Sequence, residues 1–156
     1  MASAQERIRE SALELMGRKG VAGTTTQDIA TRARCSQAAI YKYWEGKEML
    51  ALELFDTAQA SLIARMEEEA RRHGAPEERV LGALNGLVAF AREDPHAYAF
   101  LFQIFHSDYA RWLTRHAVPR DVILREVNAA MQAGRVPNGS AEARTALVLG
   151  MAIRLA

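Results

Sequence analysis

The sequence predicts an all-α protein. A small N-terminal three-helix domain, residues 1–50, precedes a larger helical bundle, residues 51–156. Three observations carry this. Period-2 alternation of β-branched residues is sustained nowhere for more than a few positions, so strands have no pattern to form on. Alanine, leucine, glutamate and arginine dominate, and these enter helices at little cost. Between Thr24 and Leu50 the order cap, helix, short turn, cap, helix fits into about twenty residues, the spacing of a helix-turn-helix.

The first helix is expected from about Ser3 to Lys19. Ile8, Ala12, Leu15 and Met16 recur at helical spacing, with Leu13 beside them, and form its buried stripe. Arg18 and Lys19 complement the dipole of the last turn, and Gly20 ends it. Val21 sits in a short connector of small and polar residues and is expected in the core. Thr25 can cap the next helix, with Asp28 three residues on, where a capping-box acid belongs. Ile29, Ala30 and Ala33 share that helix's inner face. Arg34 and Cys35 are too few to be anything but a turn. Ser36 caps the following helix, expected to Tyr43, with Ile40 inward. A fourth helix starts at Gly46 or Lys47 and runs to Arg72, where Arg71, Arg72, His73, Gly74 and Pro76 form a stop signal. Met49, Leu50, Leu52, Leu54, Phe55, Ala58, Leu62 and Met66 give it a wide apolar face. At roughly 40 Å it is long enough to belong to both domains, which meet inside it near Glu53.

A fifth helix is expected over Pro76–Arg92, with Val80, Leu81, Leu84, Leu87, Val88 and Ala91 inward. A sixth follows Asp94 and Pro95 through the aromatic segment of Tyr98, Phe100, Phe102, Phe105, Tyr109 and Trp112, until Pro119 interrupts it. A seventh spans Pro119–Ala133, and an eighth begins behind Ser140.

Composition bounds the function. With 49% hydrophobic and 25% charged residues among 156, this is a folded globular chain and not a disordered one. The net charge of +1 means that nucleic-acid recognition must rest on a local patch. The single cysteine, Cys35, rules out a disulfide within the chain and is read as a packing residue. The N-terminus MASAQERIRE has no apolar signal core, and no apolar run approaches membrane-spanning length, so a cytoplasmic protein that does not enter a membrane is expected. His73, His96, His106 and His116 lack metal-ligand spacing. There is no glycine-rich phosphate loop, nucleophile elbow or Glu-x-x-His pair. No metal, no cofactor and no enzymatic activity are expected.

A helix-turn-helix places its second helix in the major groove of double-stranded DNA. The outer face of Ser36–Tyr43 carries Gln37, Ala38 and Lys42, with Ala39 and Tyr41 near its edges. Glutamine can bond the N6/N7 edge of adenine, and an alanine methyl can meet the thymine methyl. Lysine and tyrosine can reach phosphates. Thr25, Thr26 and Gln27 at the start of the preceding helix, and Lys47 at the start of the fourth, sit where helix N-termini attract phosphate. The candidate DNA-binding residues are therefore Thr25, Thr26, Gln27, Ser36, Gln37, Ala38, Ala39, Tyr41, Lys42, Tyr43 and Lys47. Trp44 is expected in the core. The alternative reading is an all-α small-molecule binding or scaffolding protein that does not bind DNA.

The same stretch resembles the DNA-binding domain of the TetR family of bacterial transcription repressors. Thr25, Asp28-Ile29-Ala30, Ser36, Tyr41, Tyr43, Trp44 and Lys47-Glu48-Met49-Leu50 carry the resemblance, which covers roughly Arg7 to Leu50. Three positions depart from the family pattern. Arg34 stands where the turn usually has glycine, Ala38 where glycine is frequent, and Trp44 where phenylalanine is usual. A non-glycine residue held left-handed costs on the order of 1 kcal/mol. The resemblance implies that the larger bundle binds a small-molecule effector and dimerises. It implies a homodimeric repressor on a near-palindromic operator, released when the effector tilts the fourth helix. It also implies an effector cavity among helices four to eight, for which Leu62, Met66, Phe90, Tyr98, Phe102, Phe105, His106 and Trp112 are the candidates. The family builds its dimer surface from the last two helices, and only the first of them, from Ser140, is present. Further C-terminal residues are therefore expected, and a chain ending at Ala156 is expected to dimerise poorly.

Overall fold

A computed structural model describes residues 2–107 and 118–155 of the chain. Among the described residues there is no strand. The helices are α1 (Ala4–Lys19), α2 (Thr26–Ala33), α3 (Gln37–Tyr41), α4 (Lys47–Arg71), α5 (Pro76–Glu93), α6 (Pro95–Phe105), α7 (Pro119–Gln132) and α8 (Ala141–Leu155). They fall into two compact units. One comprises the chain up to Ala58 together with α6, and the other comprises Gln59–Asp94 with α7 and α8. Helix α4 contributes its first half to one unit and its second half to the other. The sequence division at residue 50 puts α6 with the second domain, whereas here α6 packs on α1 in the first unit.

In the first unit, Ser3 and Glu6 form a capping box at the start of α1. Ile8, Ala12 and Met16 are fully buried, and Leu15 is half-buried. Gly17 brings α6 close. A Cβ on it would stand 3.2 Å from both the His96 carbonyl oxygen and the Phe100 nitrogen. Ala97, Phe100, Leu101 and Ile104 form the buried face of α6. In the connector after α1, Val21 is buried as expected, and Thr24 Oγ1 donates to the Gly20 carbonyl at 2.8 Å. Helix α6 ends at Phe105, where aromatic periodicity alone predicts continuation toward Pro119. The Ser107 hydroxyl and amide both donate to the Ile104 carbonyl, 3.1 and 3.2 Å away, and close the helix there. Tyr109 and Trp112 lie outside the described residues.

The second unit is built by close backbone approach. A Cβ on Gly86 would stand 2.6 Å from Met66 Cα and 2.7 Å from the Arg65 carbonyl oxygen, and one on Gly82 would stand 2.7 Å from the Glu69 carbonyl oxygen. Helix α5 therefore turns Gly82, Ala83, Gly86, Leu87, Phe90 and Ala91 inward. This corrects the expectation for Leu81, which is 61% exposed, because the glycines and not the leucine face α4. Val122, Ile123, Val127 and Ala130 of α7 complete the core. Glu126, with its side chain 8% exposed, accepts from Arg79 at 2.7 Å and Arg125 at 3.0 Å. Burial pushes its carboxyl up, but Arg79 and then Arg125 more than offset this and hold it below the usual range. On α8, Leu147 and Met151 point outward and are exposed.

Candidate nucleic-acid interface

The site is made of short elements fixed at their ends. Thr25 Oγ1 accepts from the Asp28 amide and Asp28 Oδ2 accepts from the Thr25 amide, both at 3.0 Å, so the capping box expected at α2 is formed. Lys19 Nζ lies 2.8 Å from the same carboxylate oxygen. The Lys19 ammonium first, then the Thr25 amide and hydroxyl, hold Asp28 down to about 2. Helix α2 ends at Arg34, the one non-glycine residue with positive φ among the described residues, at φ 53° and ψ 51°. This left-handed cap lets the Cys35 amide reach back to the Ala30 carbonyl at 3.0 Å. Ser36 then caps α3 through the Ala39 amide, 3.3 Å from its hydroxyl.

Helix α3 is shorter than the expected Ser36–Tyr43 and ends at Tyr41. The Tyr43 and Trp44 amides both donate to the Ile40 carbonyl at 3.0 Å, which closes it. A helix of this length has no stability of its own. It is anchored by Ile40, fully buried, and by Trp44, 5% exposed. Its outer side presents Ala38, Tyr41 and Lys42 to solvent, with Gln37 and Ala39 half-buried and Tyr43 exposed just beyond. The Lys42 ammonium sits 5.5 Å from the Tyr43 ring centre. Thr25 and Gln27 are exposed and Thr26 is half-buried at the start of α2. An open cleft of about 410 Å³ is lined by Thr25, Thr26, Tyr41, Glu45, Gly46, Lys47 and Glu48. It brings together the N-termini of α2 and α4 and one tyrosine of α3. Glu45 and Glu48 put two carboxylates on its wall.

Lys47 has a second task. Its ammonium faces the carbonyls of Thr24 at 2.8 Å, Val21 at 3.0 Å and Ala22 at 3.4 Å. An ammonium has three donors, and these carbonyls take all three. Lys47 thus ties the start of α4 to the connector that leads into α2.

Most neighbouring cations are similarly engaged. Arg9 pairs with Glu53, Lys19 with Asp28 and Arg32 with Glu14, while Arg7 bonds the carbonyls of Ala2 and Ala33. Arg34 and Lys42, both exposed, have no carboxylate partner among the described residues, and they flank α3. Positive charge is therefore focused on the outer helix although the chain is nearly neutral. Arg34 was absent from the sequence candidates. Its signal was the lack of any acidic residue within four positions on either side.

The effector candidates divide between the units. Leu62, Met66 and Phe90 are buried in the second. Tyr98 and Phe105 are half-buried, and Phe102 and His106 exposed, on or just past α6 in the first. The Phe102 and His106 rings lie 4.2 Å apart, with His106 Nδ1 2.9 Å from the Phe102 carbonyl oxygen. Trp112 lies outside the described residues. Among the described residues no His, Cys, Asp and Glu cluster could hold a metal ion, and no helix is long and apolar enough to cross a membrane.

Two capped helices about a left-handed turn, the second with an exposed polar and tyrosine face, define a helix-turn-helix domain of the nucleic-acid-binding class. Residues 8–54 match the family model described as bacterial regulatory proteins, tetR family. The nucleoid occlusion factor SlmA of Pasteurella multocida (strain Pm70) is 28% identical over 81 residues, which are 52% of this chain and 41% of that protein, so the match spans less than half of the relative. Two crystal structures share the fold. A regulatory protein in the TetR family from Rhodococcus RHA1 gives a TM-score of 0.82 at 21% identity, over 99% of this chain and 84% of that one. The TetR family transcriptional regulator PfmR from Thermus thermophilus gives 0.78 at 21% identity, over 97% and 83%. Residues 8–54 are thus similar to the N-terminal domain of the tetR family of bacterial regulatory proteins, and the chain shares the fold of two solved members of that family.

Proposed function

We propose that the protein is a cytoplasmic DNA-binding transcriptional regulator, a homodimeric repressor that a small-molecule effector releases from its operator. The observation that carries this reading is the outer side of α3, where Ala38 and Tyr41 are exposed between Arg34 and Lys42, two cations with no carboxylate partner among the described residues. Gln37, Ala38 and Ala39 would meet base edges in the major groove. Tyr41, Lys42, Tyr43 and Arg34 would take phosphates, and Ser36, Thr25, Thr26 and Gln27 would face the backbone from the helix starts. Lys47 would add charge at the cleft while its donors hold the connector. Residues 1–50 read DNA in this scheme and residues 51–156 control it. Exposed Leu147 and Met151 on α8 support pairing of two copies. Recognition helices about 34–36 Å apart would then fit successive major grooves. Helix α4 is continuous through both units, so an effector that favours one of its placements could shift DNA affinity with a coupling of roughly 1–3 kcal/mol.

A gel shift with the DNA flanking the protein's own gene tests this. Saturable, salt-sensitive binding is expected, and no shift at low salt by folded dimer overturns the reading. Lys42→Ala should weaken binding to every sequence about equally and lower the salt slope by about 1. A loss confined to one sequence contradicts a phosphate role.

A further inference from the structure

We propose that Glu53 is a positioning residue for DNA reading, whose carboxylate latches Trp44, and with it the end of α3, to α4 and α1. The inference rests on α3 being the DNA-reading helix. That helix is too short to hold its own direction. Its last carbonyls are closed by residues past its end, and the Trp44 amide donates to the Ile40 carbonyl at 3.0 Å. Whatever fixes Trp44 therefore fixes the aim of α3.

The indole is buried, so its N–H needs an acceptor. It donates to Glu53 Oε2 at 2.8 Å. The other oxygen of the same carboxylate takes Arg9, from Nε at 2.8 Å and from the terminal guanidinium nitrogen at 2.7 Å. The Arg9 guanidinium also lies over the Trp44 ring, 5.8 Å from its centre. Each of the three side chains touches the other two, and between them they join α1, the exit of α3 and the second turn of α4. Glu53 and Arg9 are 41% and 40% exposed, so their ion pair contributes little by itself. Its effect is to fix the carboxylate's rotation, so that one oxygen points at the indole. A phenylalanine at position 44 would fill the core and could not close this ring.

Opening the latch should loosen the direction of α3 and leave the domain folded. Base contacts need direction, whereas phosphate contacts tolerate its loss. The readout is therefore the ratio of affinities of the full-length protein for the DNA flanking its own gene and for a scrambled duplex of equal length and composition. Trp44→Phe keeps the ring and removes the donor. It should lower that ratio about tenfold, the usual worth of one hydrogen bond to a charged group, while binding to the scrambled duplex is unchanged. Glu53→Ala added to Trp44→Phe should lower the ratio no further. An unchanged ratio, or equal weakening on both duplexes, overturns the latch. If wild-type protein binds neither duplex, or binds both alike, the DNA reading fails. The latch is then judged by the Trp44 indole N–H in a 15N–1H spectrum. Its hydrogen exchange should speed up tenfold or more in Glu53→Ala, and an unchanged rate overturns it.

Discussion

The two units solve the same problem by opposite means. In the first, α2 and α3 are too short to persist alone, and polar groups at their ends hold them: Thr25 with Asp28, Ser36 with Ala39, Lys47 with three carbonyls, and Trp44 with Glu53. In the second, long helices approach until backbone meets backbone, at Gly82 and Gly86 of α5, and arginine–glutamate pairs fasten their flanks. The difference teaches where each unit is vulnerable. A capped element loses one hydrogen bond at a time, whereas a glycine contact fails as soon as one carbon is added.

The largest effect should therefore come from the second unit. Gly86→Ala places a methyl 2.6 Å from Met66 Cα, an atom that moves only if α4 moves. Overpacking against backbone should lower the unfolding free energy by about 3 kcal/mol, read from the urea midpoint at an unchanged m value. A loss below about 0.5 kcal/mol would show that α4 and α5 separate easily, and the contrast between the units would collapse.

Next in size is the cap of the first unit. Thr25→Ala removes the acceptor of the Asp28 amide and should destabilise by about 1–2 kcal/mol. The same corner sets an acid dependence. Asp28 is held down to about 2 in the folded protein, while an unfolded aspartate titrates near 3.9. Its contribution is complete above about pH 4 and is lost as pH falls toward 2, because in that window the unfolded chain binds a proton that the folded carboxylate refuses. Asp28→Asn should flatten this part of the stability profile relative to wild type. Parallel profiles for the two proteins would mean that the Lys19–Asp28 contact does not persist in solution.

How much was legible follows from the same contrast. Caps are residue types at fixed spacing, so Thr25, Asp28 and Ser36 announced α2 and α3 in advance. Where α3 stops did not show, because its end is set by two amides converging on the Ile40 carbonyl and not by a stop residue. Periodicity sent Leu81 inward, since hydrophobicity ranks leucine above glycine, while the closeness of α4 demanded the smaller residue. The partners of Lys47 and Arg9 lie far away in sequence and leave no local trace. Trp44 left half a signal. A buried indole needs an acceptor, but nothing before the fold was known pointed to Glu53.

The smallest change in stability should carry the clearest change in function. Arg34 is held left-handed at φ 53°, where glycine fits without strain. Arg34→Gly should relieve about 1 kcal/mol in the folded state. It should also give back about 0.4–1 kcal/mol through the greater freedom of glycine in the unfolded chain, so the urea midpoint should scarcely move. DNA affinity should fall on every sequence, with the salt slope reduced by about 1, because an exposed cation beside α3 is gone. Arg34→Lys keeps both the charge and the strained backbone and should restore most of the binding. If Arg34→Gly gains stability and loses no affinity, the cation is irrelevant and the turn is merely a poor one. If affinity falls while the midpoint holds, the backbone strain accompanies a charge that α3 needs at that point.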